Sequence, residues 1–409
     1  MSIVFLSPSG QTGGAEAALH DLLAGLRESH PSWSLRLIVA SDGPLVERVE
    51  ALGVPVQVLP FPASVARLGD WGIGRGWWAR ARFLLRCAAT ALPAVGYLQR
   101  LRRVLRSNQP DVIHTNGLKM HLLGAWARPK GSAVLWHLHD YAGRRPFTAR
   151  LLRRNADRCA AVVANSQSVA NDVREVCGGI VPVHPVWNAI DLDRFAPDGP
   201  RIDLDAVSGL PAADDVLRVG LVATFARWKG HEIFLKALAM LPASLRVRGY
   251  IVGGPVYETS GSQTSLAELR ELVRALGLEG RVGFTGFVAD SSRAMRALDI
   301  VVHASTKPEP FGLVIAEAMA VGKPVVISSA GGVSELVSDG STGLVYSVGQ
   351  TDDMVRQVRR LLEDRQLRTS IGSAAHVAAT HQFHRDRFTR QVIDLYGGVS
   401  SGPARRSAA

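Results

Sequence analysis

The chain has 409 residues, of which 47% are hydrophobic and 20% charged. This globular composition excludes a disordered chain, a collagen-like repeat and a coiled coil, and the length suits two domains. Since the sequence has no run of about 18 uncharged apolar residues, we expect no transmembrane helix. The first six residues have the pattern of a buried strand and not of a secretory signal.

The three cysteines, Cys87, Cys159 and Cys177, show no CxxC spacing. An odd number without that spacing argues against a disulfide framework and against a zinc site. We therefore expect a cytoplasmic protein, and no compelling cluster of metal ligands is visible in the sequence.

The net charge is +11, and the excess of bases is concentrated in the first half of the chain. Between Arg67 and Arg106 there are nine Arg and one acid, and residues 71–86 combine three Trp with four Arg. Such a mixture is typical of a membrane interface, so residues 71–106 are a candidate peripheral contact with the anionic inner face of the cell membrane. A basic helical insertion packed over the first sheet explains the segment equally well. Without a nucleic-acid-binding motif, nucleic acid is not an expected partner.

Short apolar runs alternate with helical patterns in the first half. Residues 15–27 follow a first strand and a glycine-rich turn, and they place apolar side chains at helical spacing. The runs that predict strands are 3–7, 35–40, 54–59, 112–115, 133–138 and 161–165. Strands that alternate with helices predict βαβ units and a parallel sheet.

The alternation stops at residues 188–211, which hold prolines and acids without a period and predict a linker. Beyond them the predicted strands are 217–224, 248–252, 282–285, 300–303, 324–328 and 344–346, and the predicted helices are 231–240, 266–276, 313–320 and 351–362. We therefore predict an α/β chain of two Rossmann-like domains that face each other across a cleft. The predicted domains are 1–195 and 212–380, and residues 401–409 are a frayed tail. A ligand is expected at the carboxyl ends of the strands.

Two motifs of the first domain follow predicted strands. Residues 10–16 contain three glycines and Glu16, and they open a helix where the backbone can approach an anion closely. A tight turn without a ligand is the alternative. His137 and His139 precede Asp140 and point to the same side of their strand. They can transfer a proton or hold a substrate hydroxyl, although structural histidines are common.

Two further motifs belong to the second domain. Lys229 stands between a strand and a helix, where an ammonium can neutralise a phosphate that also receives backbone N–H bonds. Glu309 and Glu317 lie eight positions apart, one in a loop shaped by Pro310 and Gly312 and one on the helix that follows. Two carboxylates so placed can accept hydrogen bonds from sugar hydroxyls at both ends of one ligand. This pair is the most specific motif in the chain.

With these motifs in this order, nearly the whole chain resembles the retaining family 4 glycosyltransferases of the GT-B fold. The resemblance is also carried by Asn165-Ser166, by Gly253-Gly254, and by residues 188–191 and 331–335. It implies transfer of a sugar from a nucleotide-diphospho-sugar to an acceptor hydroxyl with the anomeric configuration kept, without a metal or an enzymic nucleophile. A lipid-linked or cell-envelope glycan acceptor fits the basic segment. The resemblance also implies that a last helix, 381–400, returns to the first domain.

The resemblance implies a role for each matching residue. Glu317 is expected to bind the ribose hydroxyls. Glu309 is expected to hold the sugar and diphosphate together with the amides of Phe311 and Gly312, and Lys229 is expected to neutralise the diphosphate. The expected catalytic residues are His139, Lys229 and Glu309. The expected donor-binding residues are Gly13, Gly14, Arg227, Lys229, Gly253, Glu309, Phe311, Gly312, Leu313 and Glu317, and the expected acceptor-side residues are Glu16, His137 and Asp140.

Two positions depart from the family pattern. The family has an Arg five positions before the Lys, where this chain has Thr224, and Arg227 is the candidate substitute. The family's Asn-Gly-Ile-Asp linker has Ala189 in place of Gly, and a positive φ there would be strained. Two other functions stay open: a nucleotide-sugar epimerase of the same fold, and a catalytically idle nucleotide-sugar-binding partner subunit, which Thr224 favours. The sequence leaves the nucleotide, the sugar, the acceptor and the oligomeric state undetermined.

Overall fold

A computed structural model describes residues 1–11, 13–67, 77–255 and 263–400 of the protein. The chain divides into two compact units. Unit 1 comprises Met1–Ala189 together with the chain from Arg385 onward, and unit 2 comprises Ile190–His384.

The strands of unit 1 that the structure describes form one parallel sheet of seven, in the order β3-β2-β1-β4-β5-β6-β7. Their bounds are β1 Ser2–Ser7, β2 Ser34–Val39, β3 Val56–Val58, β4 Val112–Asn116, β5 Ala133–Leu138, β6 Ala161–Ala164 and β7 Val183–Pro185. The helices around this sheet are α1 Gly14–Ser29, α2 Pro44–Glu50, α3 Ala63–Arg67, α4 Trp77–Asn108, α5 Leu118–Ala127, α6 Pro146–Arg154, α7 Gln167–Cys177 and, from the far end of the chain, α15 Arg385–Ser400.

Both faces of the first sheet are buried, which is why its strands read as continuous apolar runs. In β1, Ile3 and Phe5 join the core on one face, whereas Val4 and Leu6 join the core on the other. Helix α15 packs on the face of Ile3 and Phe5, to which it adds Phe388, Val392 and Tyr396. The last described helix is therefore an integral part of unit 1.

Unit 2 repeats the same plan with six described parallel strands in the order β10-β9-β8-β11-β12-β13. Their bounds are β8 Leu217–Val222, β9 Val247–Val252, β10 Val282–Gly286, β11 Ile300–His303, β12 Val325–Ser328 and β13 Leu344–Tyr346. Its helices are α8 Leu204–Ser208, α9 His231–Met240, α10 Leu266–Ala275, α11 Ser291–Ala297, α12 Leu313–Ala320, α13 Thr351–Glu363 and α14 Arg365–Gln382.

The predicted α/β architecture of two Rossmann-like units is confirmed. The prediction missed β7 and α14, and it missed α8, which lies inside the predicted linker. The units divide after Ala189, whereas the predicted domains end at 195 and begin at 212. The last helix begins at Arg385 and not at 381.

The backbone at Ala189 does not take the positive φ that would strain an alanine. Among the described residues, Gln109 is the one non-glycine with a positive φ. The backbone at Ala189 therefore takes an angle that alanine adopts freely, and the linker does not require a glycine there.

Two predicted features fall outside the described part of the chain. The structure does not describe the tail 401–409. In the basic segment it does not describe residues 71–76 or the side chains of residues 77–88. The membrane contact of 71–106 therefore stays a prediction. Within the described residues, no helix combines the length and the hydrophobicity that a membrane span requires.

Candidate active site

The strand order of unit 2 places two of its loops side by side. Because β8 lies between β9 and β11, the connections that leave β8 and β11 diverge at one point of the sheet edge. Open α/β sheets bind ligands at such a point, at the carboxyl ends of the strands. The loop after β8 carries Lys229, and the loop after β11 carries Glu309.

The backbone of the first loop requires a glycine beside Lys229. Residues Arg227–Lys229 form a short 3₁₀ turn, and Gly230 follows with φ 76°. A Cβ at Gly230 would lie 1.8 Å from the carbonyl oxygen of Ala304. The contact brings the loops after β8 and β11 together, so that the Lys229 side chain reaches across to Glu309.

Glu309 accepts hydrogen bonds from three side chains. The Nζ of Lys229 lies 2.7 Å and 2.8 Å from its two carboxylate oxygens, and Ser305 Oγ donates to Oε2 over 3.0 Å. His303 Nε2 lies 3.3 Å from the same oxygen, and its Nδ1 lies 3.1 Å from Ser328 Oγ. Since a carboxylate only accepts, His303 donates from Nε2 to Glu309. The Ser328 hydroxyl, which can donate or accept, holds the other ring nitrogen.

The charge of Glu309 is stabilised by these neighbours. Its side chain is 13% exposed and that of Lys229 is 18% exposed. Burial alone would raise the pKa of the Glu309 carboxyl, but the Lys229 ammonium and the bond from His303 outweigh burial and hold that pKa well below its usual range. Glu309 is therefore an anion at neutral pH and a hydrogen-bond acceptor, not a proton donor.

The second loop ends in a helix start that glycine shapes. Gly312 precedes α12 with φ 94°, and a Cβ there would lie 2.6 Å from the Val333 side chain. Phe311 is 3% exposed and packs edge-on against Phe383. Glu317 lies further along α12 and is half-buried. The first-turn amides of α12, which begin at Leu313, have no acceptors within the helix and carry partial positive charge.

Gly253 also belongs to this edge of the sheet. It follows β9 with φ 133°, and a Cβ there would lie 2.2 Å from the carbonyl oxygen of Ala223. A side chain at this position would displace the end of β8, from which the Lys229 loop begins.

Arg227 points to a different partner. Its guanidinium lies 2.8 Å from Glu268, and the Arg227 side chain is 55% exposed. Glu268 also receives the backbone N–H of Ser265 in the capping box of α10. Thr224, the position where the family has Arg, is half-buried and carries no charge. The structure therefore does not join Arg227 to Lys229 and Glu309.

In unit 1 the predicted histidines belong to a buried network. His114 Nδ1 lies 2.7 Å from the hydroxyl of Tyr396, and its Nε2 lies 3.1 Å from His137 Nδ1. The rings of His137 and His139 have centroids 4.0 Å apart. His139 Nε2 lies 3.3 Å from Asn116 Oδ1. The two histidines do lie together, as the strand alternation predicts, but His137 is fully buried.

The histidines of this network are neutral. Burial, with a smaller effect of His139, lowers the pKa of His114 to about 3, and burial lowers that of His139 to about 4. For His121 and His137, burial holds the pKa well below the usual range. At neutral pH these imidazoles are acceptors and donors of hydrogen bonds without charge.

A cavity of about 760 Å³ lies at the carboxyl ends of β1 to β5, beside this network. His139 and Asp140 line it, whereas His137 does not. Asp140 forms an ion pair of 2.9 Å with Arg145, which also lines the cavity.

The glycine-rich turn of unit 1 begins α1, and Glu16 stands in its first turn. Gly13 is the N-cap residue and Gly14 the first helical residue. Burial raises the pKa of Glu16, and the backbone hydrogen bonds of Glu16 and Gly13 partly offset that effect. Ala15, between Gly14 and Glu16, reaches the cavity wall.

Several residues of these sites were missed in the sequence. They are His114, Asn116, Lys119, His121, His303 and Ser305. The polar residues at the carboxyl end of the buried strand β4 were the available signal for His114 and Asn116, because such ends form the ligand-binding edge of a parallel sheet.

Two family models match this chain. The one described as Glycosyltransferase Family 4 covers residues 12–194, and the one described as Glycosyl transferases group 1 covers residues 208–377. Together they span most of both units.

Curated relatives agree with the family models. The D-inositol 3-phosphate glycosyltransferase of Mycobacterium tuberculosis is 35% identical over 292 residues, which are 66% of this chain and 58% of that one. The N-acetyl-alpha-D-glucosaminyl L-malate synthase of Bacillus anthracis is 27% identical over 258 residues, which are 63% of this chain and 64% of that one. The chain thus matches less than two thirds of the length of these two relatives. The lipopolysaccharide core biosynthesis glycosyltransferase LpsE of Rhizobium meliloti is 27% identical over 305 residues, or 72% of this chain and 78% of that one.

Solved structures agree as well. HepE of Anabaena in complex with UDP-glucose is 28% identical with a TM-score of 0.76, over 97% of this chain and 100% of that one. The lipopolysaccharide glycosyltransferase WaaG shares the fold, with a TM-score of 0.65 at 16% identity over 97% of this chain and 100% of that one. By its sequence, its two parallel-sheet units and these relatives, the chain belongs to the family 4, group 1 glycosyltransferases of the GT-B fold.

Proposed function

We propose that this glycosyltransferase transfers a hexose from a UDP-sugar to a hydroxyl of a carbohydrate acceptor, with retention of the anomeric configuration. The observation that carries the proposal is the Lys229–Glu309 pair, which lies where the loops after β8 and β11 meet the starts of α9 and α12. The Anabaena protein HepE, 28% identical, is seen with UDP and with UDP-glucose, which favours uridine in the donor.

Unit 2 binds the donor in this proposal. The Lys229 ammonium and the first-turn amides of α12 hold the diphosphate, because both supply positive charge or N–H donors at one place. Glu309 accepts hydrogen bonds from hydroxyls of the transferred sugar, and Glu317 accepts them from the ribose. Gly253 and Gly312 keep the surrounding backbone free of side chains.

The proposed reaction needs no proton from Glu309. The bond between the anomeric carbon and the diphosphate oxygen breaks, and the acceptor oxygen bonds to that carbon from the same face. The acceptor's proton passes to the departing diphosphate. Negative charge grows on the diphosphate as it leaves, so Lys229 and the helix amides stabilise the transition state more than the ground state. We propose that these groups do this without a metal ion.

Unit 1 binds the acceptor in this proposal, in the cavity that His139 and Asp140 line. His139 is neutral at physiological pH because burial lowers its pKa to about 4. It therefore positions an acceptor hydroxyl and does not repel the sugar's developing positive charge. The relative LpsE is named for lipopolysaccharide core biosynthesis, which is consistent with a cell-envelope glycan as acceptor.

The donor proposal is tested by calorimetric titration of the full chain with UDP, GDP and ADP in the presence of EDTA. We expect UDP to bind most tightly, and Glu317→Gln to weaken UDP binding by about tenfold, since the ribose would lose a bond to a charged acceptor. Glu271→Gln, an exposed carboxylate on α10, is the matched control. Equal binding of the three nucleotides, or binding lost in EDTA, contradicts the proposal.

The configuration of the product is measured by proton NMR of the glycoside formed from an α-linked UDP-sugar. An α-glycoside supports retention, and a β-glycoside contradicts it. A catalytically idle partner subunit is the second candidate, because Arg227 is engaged by Glu268 and Thr224 adds no cation. That candidate predicts nucleotide binding without transfer or hydrolysis, and an epimerase predicts a released sugar epimer without an acceptor.

A further inference from the structure

The cavity of unit 1 has a partly apolar wall and one lysine that forms no ion pair with a described residue. Phe61 and Leu118 contribute to the wall, and so does Lys119, the second residue of α5. The Lys119 Nζ lies 5.8 Å from the centroid of the Phe61 ring. Within the part of the chain that the structure describes, no carboxylate lies within ion-pair distance of this ammonium.

Lys119 has hydrogen-bond partners, but they are neutral. Its Nζ donates to the carbonyl oxygens of Val65 over 2.9 Å and of Ala66 over 2.5 Å, at the end of α3. Two of the three ammonium protons are used in this way. Burial, together with the nearby Arg145, lowers the pKa of Lys119. A partly buried ammonium with no carboxylate at ion-pair distance is stabilised when an anion enters. The other charged residues described on the cavity wall are Asp42 and the paired Asp140 and Arg145.

The start of α5 adds to the positive field. Gly117 precedes the helix with φ 78°, and its carbonyl oxygen already accepts the N–H groups of Met120 and His121. The amides of Leu118 and Lys119 come before these in the first turn, where a helix offers no acceptors. Gly117, Leu118 and Lys119 all line the cavity, so the ammonium and the helix start act on the same occupant.

His121 contributes an unpartnered hydrogen-bond acceptor to the same cavity. Thr115 Oγ1 donates to the carbonyl oxygen of Leu135 over 3.0 Å, so it accepts from His121 Nδ1 at 2.7 Å. The Nε2 of His121 therefore carries no proton and can only accept a hydrogen bond. It is buried without a partner among the described residues, and His121 lines the cavity. Because this imidazole is neutral, it adds an acceptor to the site and no charge.

We propose that the acceptor bound in this cavity is a phosphorylated polyol or sugar, whose phosphate monoester is held by Lys119 and the first amides of α5. Lysine and a helix start are both common phosphate ligands, and the volume of about 760 Å³ suits a molecule of that size. This inference rests on the proposed function, since it identifies the acceptor of that reaction.

The test is a calorimetric titration of the full chain in saturating UDP, which blocks the phosphate site of unit 2. The probes are glycerol 3-phosphate and glucose 6-phosphate, each compared with glycerol or glucose. We expect each phosphorylated probe to bind about tenfold more tightly than its neutral partner, and Lys119→Met to remove most of that difference. Lys130→Met removes the same charge from an exposed position outside the cavity and is the matched control.

The fold and the donor site are monitored in the same variants. Lys119→Met leaves two carbonyls of α3 without their donor, so its melting temperature and UDP affinity are measured beside the probe affinities. A variant that binds UDP normally but has lost the phosphate preference supports the proposal. Lys119→Arg, which keeps the charge, is expected to retain most of the preference.

Two results overturn the inference. One is equal binding of phosphorylated and neutral probes by the wild-type chain while UDP still binds, which leaves the proposed function intact. The other is a phosphate preference that Lys119→Met does not change. A chain that binds no UDP contradicts the proposed function instead. Vesicles with and without phosphatidic acid, also a phosphate monoester, separate a lipid-borne acceptor from a soluble one, because only binding through this cavity depends on Lys119.

Discussion

The Nζ of Lys229 contacts both carboxylate oxygens of Glu309, at 2.7 Å and 2.8 Å, although 80 positions separate the two residues in the chain. The pair joins the loops that follow two neighbouring strands of the second sheet. Lys229 thereby neutralises a nearly buried carboxylate. A nucleotide-sugar donor that enters the site would share the Lys229 ammonium with Glu309. The same ion pair therefore contributes to the stability of unit 2 and to donor binding.

Replacing Lys229 with Met is expected to reduce the free energy of unfolding by about 3 kcal/mol, because it leaves the Glu309 carboxylate buried without its cation. Lys236→Met is the matched control, since Lys236 pairs with Glu232 on the exposed face of α9. An exposed pair contributes less than about 1 kcal/mol. The measurement is chemical denaturation of both variants at neutral pH, and equal losses would refute the assignment of a buried pair.

The same pair predicts how stability changes in acid. Because the folded-state pKa of Glu309 lies below the value of about 4.3 for a free glutamate, its contribution is fully present above that pH and is lost as the pH falls further. Wild type and Lys229→Met should therefore approach each other in stability below about pH 4. A gap between them that stays constant down to the acid limit would contradict the prediction.

Replacing His139 with Ala is expected to reduce kcat by about a hundredfold and to leave the Kd for UDP nearly unchanged, since His139 belongs to the acceptor cavity of unit 1. The measurements are UDP release with an identified acceptor and calorimetric titration with UDP. His184→Ala, on the edge strand β7, is the matched control. A loss of UDP affinity equal to the loss of kcat would show that His139 acts on the donor.

Unit 1 is expected to lose stability between about pH 6.5 and 5, because its buried histidines stay neutral when folded and bind protons when unfolded. The pKa is about 3 for His114 and about 4 for His139, so protons favour the unfolded chain throughout this range. His121→Gln removes one such group and should reduce the slope of stability against pH by about 1.4 kcal/mol per pH unit. The exposed His381→Asn is the control. An unchanged slope in His121→Gln would show that His121 is charged in the folded chain.

Two buried tyrosines provide a matched pair of tests. Tyr396→Phe removes the hydroxyl that lies 2.7 Å from His114 Nδ1, and it is expected to cost about 1–3 kcal/mol of stability. Tyr97→Phe removes a buried hydroxyl that has no partner in the described residues, so it should be neutral or stabilising. Denaturation of both variants measures the difference, and a larger loss in Tyr97→Phe would contradict the network.

Much of the fold could be predicted from local patterns. The strands 133–138, 300–303 and 344–346 and the helices 231–240 and 313–320 have the predicted bounds, because apolar runs and helical spacing are properties of neighbouring residues. Strand β7 was missed since its three residues, Val183–Pro185, are too short for a period and contain a proline. The unpatterned stretch after Asn188 concealed α8, whose five residues are too few to show a helical face.

The sites were predictable only in part. The Glu309 and Glu317 spacing is visible because both residues belong to one short segment. The contacts of His114 with Tyr396 join residues 282 positions apart, and no local pattern indicates them. In the sequence Lys119 looks like an ordinary surface lysine. Only the folded sheet, in which strands β1 through β5 end around one cavity, shows that Lys119 lines that cavity.

The return of α15 to unit 1 has a consequence for synthesis. Unit 2 begins at Ile190 and ends at His384, and its two ends are joined where the Ile190 N–H donates to the Phe383 carbonyl over 2.9 Å. Unit 2 is thus an insertion whose chain is complete before the ribosome reaches Phe388, Val392 and Tyr396. Unit 1, although it emerges first, lacks part of its core until those residues are made. The order in which the two sheets become stable during translation should therefore be the reverse of their order in the sequence.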